Sequence, residues 1–219
     1  MALTAIQVKE AKVHDKDLKI SDGEDCDYIE LMHRVFSNKM GISQAEWDVL
    51  KTCLTVHRYP ARHYLLKVGE LAKSQYFVVS GLVRLYYLGI DGKEYIKGFY
   101  CENIMVGNLS AMIMDEPSRF AIETLEPCVL IELESKEDYG PALQPFVDRL
   151  LLHHYRSLLV RNERREAALL TMSAKERFLH FVRTFPGDIN RIKQYHIASY
   201  LGITSVALSR EKRQWLSEL

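Results

Sequence analysis

No run of about 18 apolar residues occurs in this chain of 219 residues, so an ordinary transmembrane helix is not expected. The opening stretch MALTAIQVKEAKVHDKD has no long apolar segment, so it does not read as a secretory signal. A cytoplasmic protein with no membrane partner is expected. There are only four cysteines, at positions 26, 53, 101 and 128, and none forms a CxxC pair. Zinc and iron–sulfur sites need several ligands at close spacing, and this spacing offers none. The cysteines are expected to be reduced and mostly buried thiols, with no metal bound. GxSxG, Walker A and HExxH patterns are also missing. His153 and His154 are adjacent, and on a helix adjacent side chains point in different directions. No catalytic residues are assigned, and the chain is not expected to be an enzyme.

The formal net charge of zero conceals a division. Residues 1–148 hold 16 Lys/Arg and 23 Asp/Glu, a net charge of −7, whereas residues 149–219 hold 13 and 6, a net charge of +7. An acidic body therefore carries a basic C-terminal piece. Such a piece attracts phosphate and gains affinity by releasing counterions, which points to nucleic acid.

Four regions follow from the pattern. Residues 1–27 are polar and weakly periodic and read as a flexible leader. From Tyr28 to Leu54 the apolar residues Ile29, Met32, Val35 and Phe36 recur at helical spacing, and Ser43 with Glu46 forms a capping-box signature. Short β segments then appear at His63–Lys67, Tyr76–Val79, Val83–Leu88, Tyr95–Tyr100, Phe120–Leu125 and Val129–Leu133. Ser80-Gly81, Asp91-Gly92 and Glu126-Pro127 mark turns between them. So many short strands imply a sandwich or barrel over 28–140.

Helical spacing resumes over 141–170. Leu151, Tyr155, Leu158 and Asn162 fall on one stripe and are assigned to a dimer seam, with Asn162 fixing its register. The adjacent stripe of Leu152 and Leu159 is left to pack on the chain's own body. Residues 171–219 form a final helical unit, in which Ser173 and Glu176 make a second capping box.

Within that unit, residues 194–213 have the pattern of a helix-turn-helix. Ala198 is small where two helices would cross, and Gly202 tolerates the positive φ of a tight turn. Ile197, Leu201, Ile203 and Leu208 supply the inner face. Thr204 or Ser205 can cap the second helix. That helix then presents Ser205, Val206, Ser209, Arg210 and Arg213 outward. Arg210 suits bidentate bonding to guanine, while Thr204, Ser205, Lys212 and Arg213 suit phosphate. Glu211 falls where a buried apolar residue is expected, and no β-wing is expected after the second helix.

From about Tyr28 onward the chain resembles the Crp/Fnr family of bacterial transcription regulators. Leu66-Lys67-Val68-Gly69-Glu70, the run 76–84, Asp91-Gly92-Lys93-Glu94 and, most specifically, residues 197–204 with Leu208, Ser209 and Arg210 carry the resemblance. It implies an α+β fold: a double-stranded β-helix (jelly-roll) sensor domain, a long dimerisation helix and a C-terminal helix-turn-helix domain. It also implies that Arg210 is the principal base-reading residue. The acidic residue usually found four positions before it is Val206 here. In nucleotide-binding members a Gly-Glu pair and a later Arg-Ser pair hold the cyclic nucleotide. The matching positions here are Gly107, Asn108, Ser118 and Arg119, with the glutamate replaced and the arginine displaced by about one residue. These four are a candidate ligand pocket, and cyclic AMP is not expected. The expected function is a dimeric, sequence-specific regulator of transcription whose partners are duplex DNA, a second copy of the chain and, as a further candidate, RNA polymerase. The alternative is a ligand-binding or interaction module whose DNA-binding domain has degenerated.

Overall fold

The computed structural model describes residues 22–135, 139–185 and 187–217. Two helices open it, α1 (Asp22–Met40) and α2 (Gln44–Leu50). Eight strands and one short helix follow: β1 (Leu54–Tyr59), β2 (Tyr64–Leu66), β3 (Ser74–Ser80), β4 (Val83–Leu88), β5 (Glu94–Tyr100), β6 (Met105–Val106), α3 (Leu109–Met114), β7 (Phe120–Thr124) and β8 (Cys128–Glu134). Four helices complete the chain: α4 (Gly140–Thr171), α5 (Ala174–Thr184), α6 (Gln194–Leu201) and α7 (Ser205–Ser217). Among the described residues no helix is long and apolar enough to cross a membrane.

The strands form two antiparallel four-stranded sheets, ordered β1-β8-β3-β6 and β2-β7-β4-β5. This is the expected jelly-roll sensor domain. Turn chemistry sets its corners. Gly92 takes φ 76° in the β4–β5 hairpin, and the Asp91 carboxylate accepts from the Lys93 amide at 3.0 Å. At Gly81, with φ 102°, a Cβ would fall 2.8 Å from the Pro127 carbonyl oxygen, so only glycine fits.

Alternation along the strands divides the apolar residues among three clusters. Val78, Val83, Leu85, Ile122 and Leu130 fill the space between the sheets. Phe77, Val79, Ile131 and Leu133 face the other way and meet Phe36 of α1, Trp47 of α2 and Phe146 of α4. Tyr86, Ile96 and Phe99 lie on the outer face of the second sheet, where α5 and α6 cover them. Phe99 meets the rings of Phe181, Phe185 and Tyr200 at 6.2, 5.9 and 5.6 Å between centroids. Burying one phenyl ring contributes about 1.5–3 kcal/mol, and well-oriented ring pairs add to that. The C-terminal helices are therefore docked on the barrel through a shared apolar core.

Several expectations need correction. Residues 22–27 are helical, so the expected leader ends earlier; residues 1–21 lie outside the described residues. The helical reading that ran to Leu54 stops at Leu50, and Leu54–Tyr59 forms β1, paired with β8. The two-residue strand β6 was not expected either. Only Cys128 of the four thiols is buried, and burial pushes its pKa up to about 11. Both capping boxes are present: Ser43 and Ser173 each exchange side-chain and backbone bonds with Glu46 and Glu176.

The two stripes of α4 depart in part from their expected positions. Leu151 packs with the cluster under α1, and Leu158 lines a cavity beside Phe36, Phe77 and Tyr100. Leu152 and Leu159 are instead 49% and 67% exposed. The barrel needs a long helix to cover its flank, and it takes the stripe nearest to it. Tyr155 is half-buried and Asn162 is exposed.

Candidate nucleic-acid interface

α6 and α7 are joined by three residues, Gly202 to Thr204. Gly202 ends α6 in the left-handed region at φ 64°, and the Ile203 amide donates to the Ala198 carbonyl at 3.0 Å. Ala198 is buried where a larger side chain would push the helices apart. Thr204 caps α7: its hydroxyl accepts from the Ala207 amide at 3.1 Å. The apolar inner face is completed by Leu208 and by Trp215, whose ring meets Phe178 at 5.9 Å.

The outer face of α7 carries the residues assigned to DNA. Thr204, Ser205, Arg210 and Arg213 are exposed, and Ser209 and Lys212 are half-buried. Val206 is 81% exposed, so an apolar residue stands in the open where the family pattern has an acid. Ser209 donates its hydroxyl to the Ser205 carbonyl at 2.9 Å.

Glu211 has a role that sequence reasoning missed. It is buried, at 6% exposure, and accepts from both Nε and Nη2 of Arg210 at 3.2 and 2.9 Å. The guanidinium itself remains 74% exposed. A buried carboxylate thus holds an exposed guanidinium from below and limits its rotamers. The signal in the sequence was the acid in an apolar slot.

A second missed set fixes α6 to the barrel. Ser199 accepts from the Ile96 amide and donates to the Glu94 carbonyl, both at 3.0 Å. Arg84, buried on β4, donates to Glu123 at 2.6 and 3.1 Å and to Glu94 at 3.0 Å. Its Nη1 also reaches Nδ1 of His196, at 3.2 Å. Burial opposes the Arg84 charge, but the two carboxylates outweigh it and hold the guanidinium above its usual range. Burial, with Arg84 beside it, pushes His196 down to about 4, so its ring is neutral near pH 7. On the opposite side of the unit Arg191 ties the link before α6 to Glu102, at 2.8 Å, and to Glu126. A groove of about 700 Å³ separates the β4–β5 hairpin from the turn at Gly202 to Ser205.

The candidate ligand pocket is only partly assembled. Asn108 caps α3 through the Ala111 amide, at 3.2 Å, and donates to the Ser118 hydroxyl at 2.7 Å. Ser118 in turn donates to the Phe120 carbonyl at 2.6 Å. Gly107 lies against the Gln75 side chain, which would meet a Cβ there at 2.7 Å. Arg119 does not join them: it is 85% exposed and reaches Glu116 at 3.6 Å. A one-residue displacement in an extended chain turns a side chain to the opposite face. Asn108 and Ser118 satisfy one another, Oε1 of Gln75 is buried without a partner, and Arg119, the cation of the cassette, is turned to solvent. The residues present do not fit a cyclic nucleotide bound through this cassette. Among the described residues no cluster of three or more metal-ligating side chains occurs.

The architecture is thus a jelly-roll barrel, a long flanking helix and a docked unit in which α6 and α7 are joined by a tight turn. Comparison with known proteins finds likenesses in both sequence and fold. The family model of the cyclic nucleotide-binding domain matches residues 56–137. The chain is 29% identical over 164 residues to the anaerobic regulatory protein of Pasteurella multocida strain Pm70, covering 67% of this chain and 57% of that one. It is 26% identical over 82 residues to the cAMP-activated global transcriptional regulator CRP of the same strain, covering 37% and 39%. The matched region thus spans less than two thirds of either relative. The solved structure of FixK2 from Bradyrhizobium japonicum superposes with a TM-score of 0.66 at 24% identity, covering 75% of this chain and 85% of that one, which shows a shared fold. Residues 56–137 thus match a cyclic nucleotide-binding domain, and the chain is similar in sequence to two transcription regulators and in fold to a third protein.

Proposed function

We propose that the chain is a dimeric, sequence-specific DNA-binding regulator of transcription that does not respond to cyclic AMP and works by binding rather than catalysis, in the cytoplasm. The observation that carries this reading is the outer face of α7. An exposed, oriented arginine stands there among exposed Ser205 and Arg213, above a capped helix start. Arg210 donates two parallel bonds to guanine O6 and N7 in a major groove. Thr204, Ser205, Lys212 and Arg213 hold phosphates on either side, and Ser209 lines the same face.

Pairing of two chains follows α4. Leu152, Leu159 and Leu170, 49%, 67% and 77% exposed, lie on one face at seven- and eleven-residue intervals, flanked by Tyr155 and Asn162. A helix that leaves such a stripe uncovered gains by pairing with a copy of itself. The paired reading helices would then meet half-sites about one helical turn apart. RNA polymerase is a further candidate partner of the DNA-bound dimer. The cassette around Asn108, with Arg119 turned to solvent, supports independence from cyclic AMP.

A second reading, an interaction module with a degenerate reading helix, is favoured by exposed Val206 and by the hold of Glu211 on Arg210. Titrating duplex DNA binding against salt separates the two. A regulator shows a steep slope of log affinity against log salt and a large ratio of specific to non-specific binding. A flat slope selects the interaction module.

A further inference from the structure

Among the described residues three of the six buried or half-buried arginines have acidic partners, as does exposed Arg149. Arg58 pairs with Asp25, Arg84 with Glu94 and Glu123, Arg149 with Glu46, and Arg191 with Glu102 and Glu126. The other three, Arg161, Arg165 and Arg177, have none and lie together. Arg156, Arg161, Arg164 and Arg165 of α4 and Arg177 of α5 converge on a groove of about 570 Å³ where α4 meets the C-terminal unit. Among the described residues none of the five has a carboxylate partner. His180 joins them from α5.

Two of the five have structural duties. Arg161 donates to the Phe99 carbonyl at 3.0 Å and lies over the Tyr100 ring. Arg165 donates to the carbonyls of Ile96 and Tyr200 at 2.8 and 3.2 Å. Those bonds leave its Nε buried without an acceptor, and the Nε of Arg177 is buried in the same condition. Arg156 and Arg164 are exposed and make no side-chain bond within the described residues. Five like charges at one place repel, and burial adds to the cost at Arg165, whose pKa is drawn below the usual range. A multivalent anion relieves both, and guanidinium forks match phosphate oxygens bidentately. The groove has the volume of a small-molecule site.

We propose that this groove binds a small anion carrying two or more phosphoryl groups, clamped between α4 and α5. Ligand there would bridge the long helix and the C-terminal unit across Met172 and Ser173, where the two helices part. The site stands whether or not α7 reads DNA.

The test is calorimetric titration of the full chain with inorganic pyrophosphate at fixed ionic strength, with chloride as reference. Saturable binding is expected, weakened by about tenfold or more in Arg156→Gln/Arg164→Gln. Both residues are exposed and unpartnered, so the ligand-free unfolding midpoint of that variant should match the parent and report an intact fold. A nucleoside triphosphate arm identifies the source of the phosphates: tighter binding than pyrophosphate favours a nucleotide, and equal binding a free phosphate compound. Absence of saturation at millimolar pyrophosphate, or equal affinity in the variant, overturns the proposal. A variant that loses affinity only for a short duplex, with no small anion bound by the parent, also overturns it and makes the groove a contact for DNA backbone.

Discussion

Replacing Arg84 by Met should destabilise the folded chain by about 3–5 kcal/mol, the cost of breaking a buried ion pair from one side. The size follows from what is left behind. Glu123 is 8% exposed at its side chain and takes two of the Arg84 bonds, so its carboxylate would be stranded in a low-dielectric layer. Glu94, 37% exposed, can turn to water and should contribute little to the loss. His196 loses the guanidinium that Nδ1 faces, which removes the cation that disfavours its protonation. The double variant Arg84→Met/Glu123→Gln should therefore recover a large part of the loss, since no bare charge stays buried. Urea unfolding of the three proteins, followed by far-UV circular dichroism, gives each free energy. A loss below about 1 kcal/mol in the single variant, or no recovery in the double, would refute the view that this buried pair stabilises the barrel beneath the C-terminal unit.

Acid should weaken the fold before the carboxylates titrate. His154 and His196 are buried and held near 4, burial being the first cause in both, whereas in the unfolded chain they take up protons near 6.5. Between those limits the unfolded chain binds more protons, so stability falls as pH drops from about 7 towards 4, by up to about 1.4 kcal/mol per pH unit for each histidine. Urea unfolding at pH 7 and pH 5 measures this, and an unchanged free energy would show that the two rings take up protons in the fold as readily as in the unfolded chain. Gly202→Ala should cost roughly 1–2 kcal/mol, because φ 64° puts a side chain in the left-handed region and its Cβ would lie 3.3 Å from Leu169; an unfolding midpoint equal to the parent's would count against a strained turn. Leu159→Lys should leave monomer stability within about 0.5 kcal/mol, since the side chain is 67% exposed. Sedimentation should nonetheless shift from dimer to monomer, and a persistent dimer would remove the exposed stripe of α4 as its seam.

The barrel was legible because its turns are chemically explicit: Gly81 and Gly92 have the positive φ that their dipeptides announced. β1 was not, because Leu54–Tyr59 follows a helix with only one residue triplet between and carries His57 and Arg58 in its middle. The turn between α6 and α7 was legible through Ala198, Gly202 and Leu208, whose sizes are set by backbone approach. Which stripe of α4 faces outward was not, since two adjacent apolar stripes differ only in what the barrel supplies opposite them. The docking residues Ser199 and His196 carried no local signal, because their partners Glu94 and Arg84 lie more than a hundred residues away in sequence. Asn108 showed the loss of a glutamate, but its bond to Ser118 needed the fold to bring α3 and β7 together.

The most direct test of the reading helix is selection of bound duplexes from a random library by the parent chain and by Arg210→Ala. The parent should enrich an inverted repeat whose half-site centres are about 34 Å apart. Arg210→Ala should lose about 1–3 kcal/mol of preference at one base pair in each half-site while retaining affinity for phosphate. No enriched sequence from the parent, or an equal loss on every sequence in the variant, would contradict the assignment of α7 as a reader of DNA.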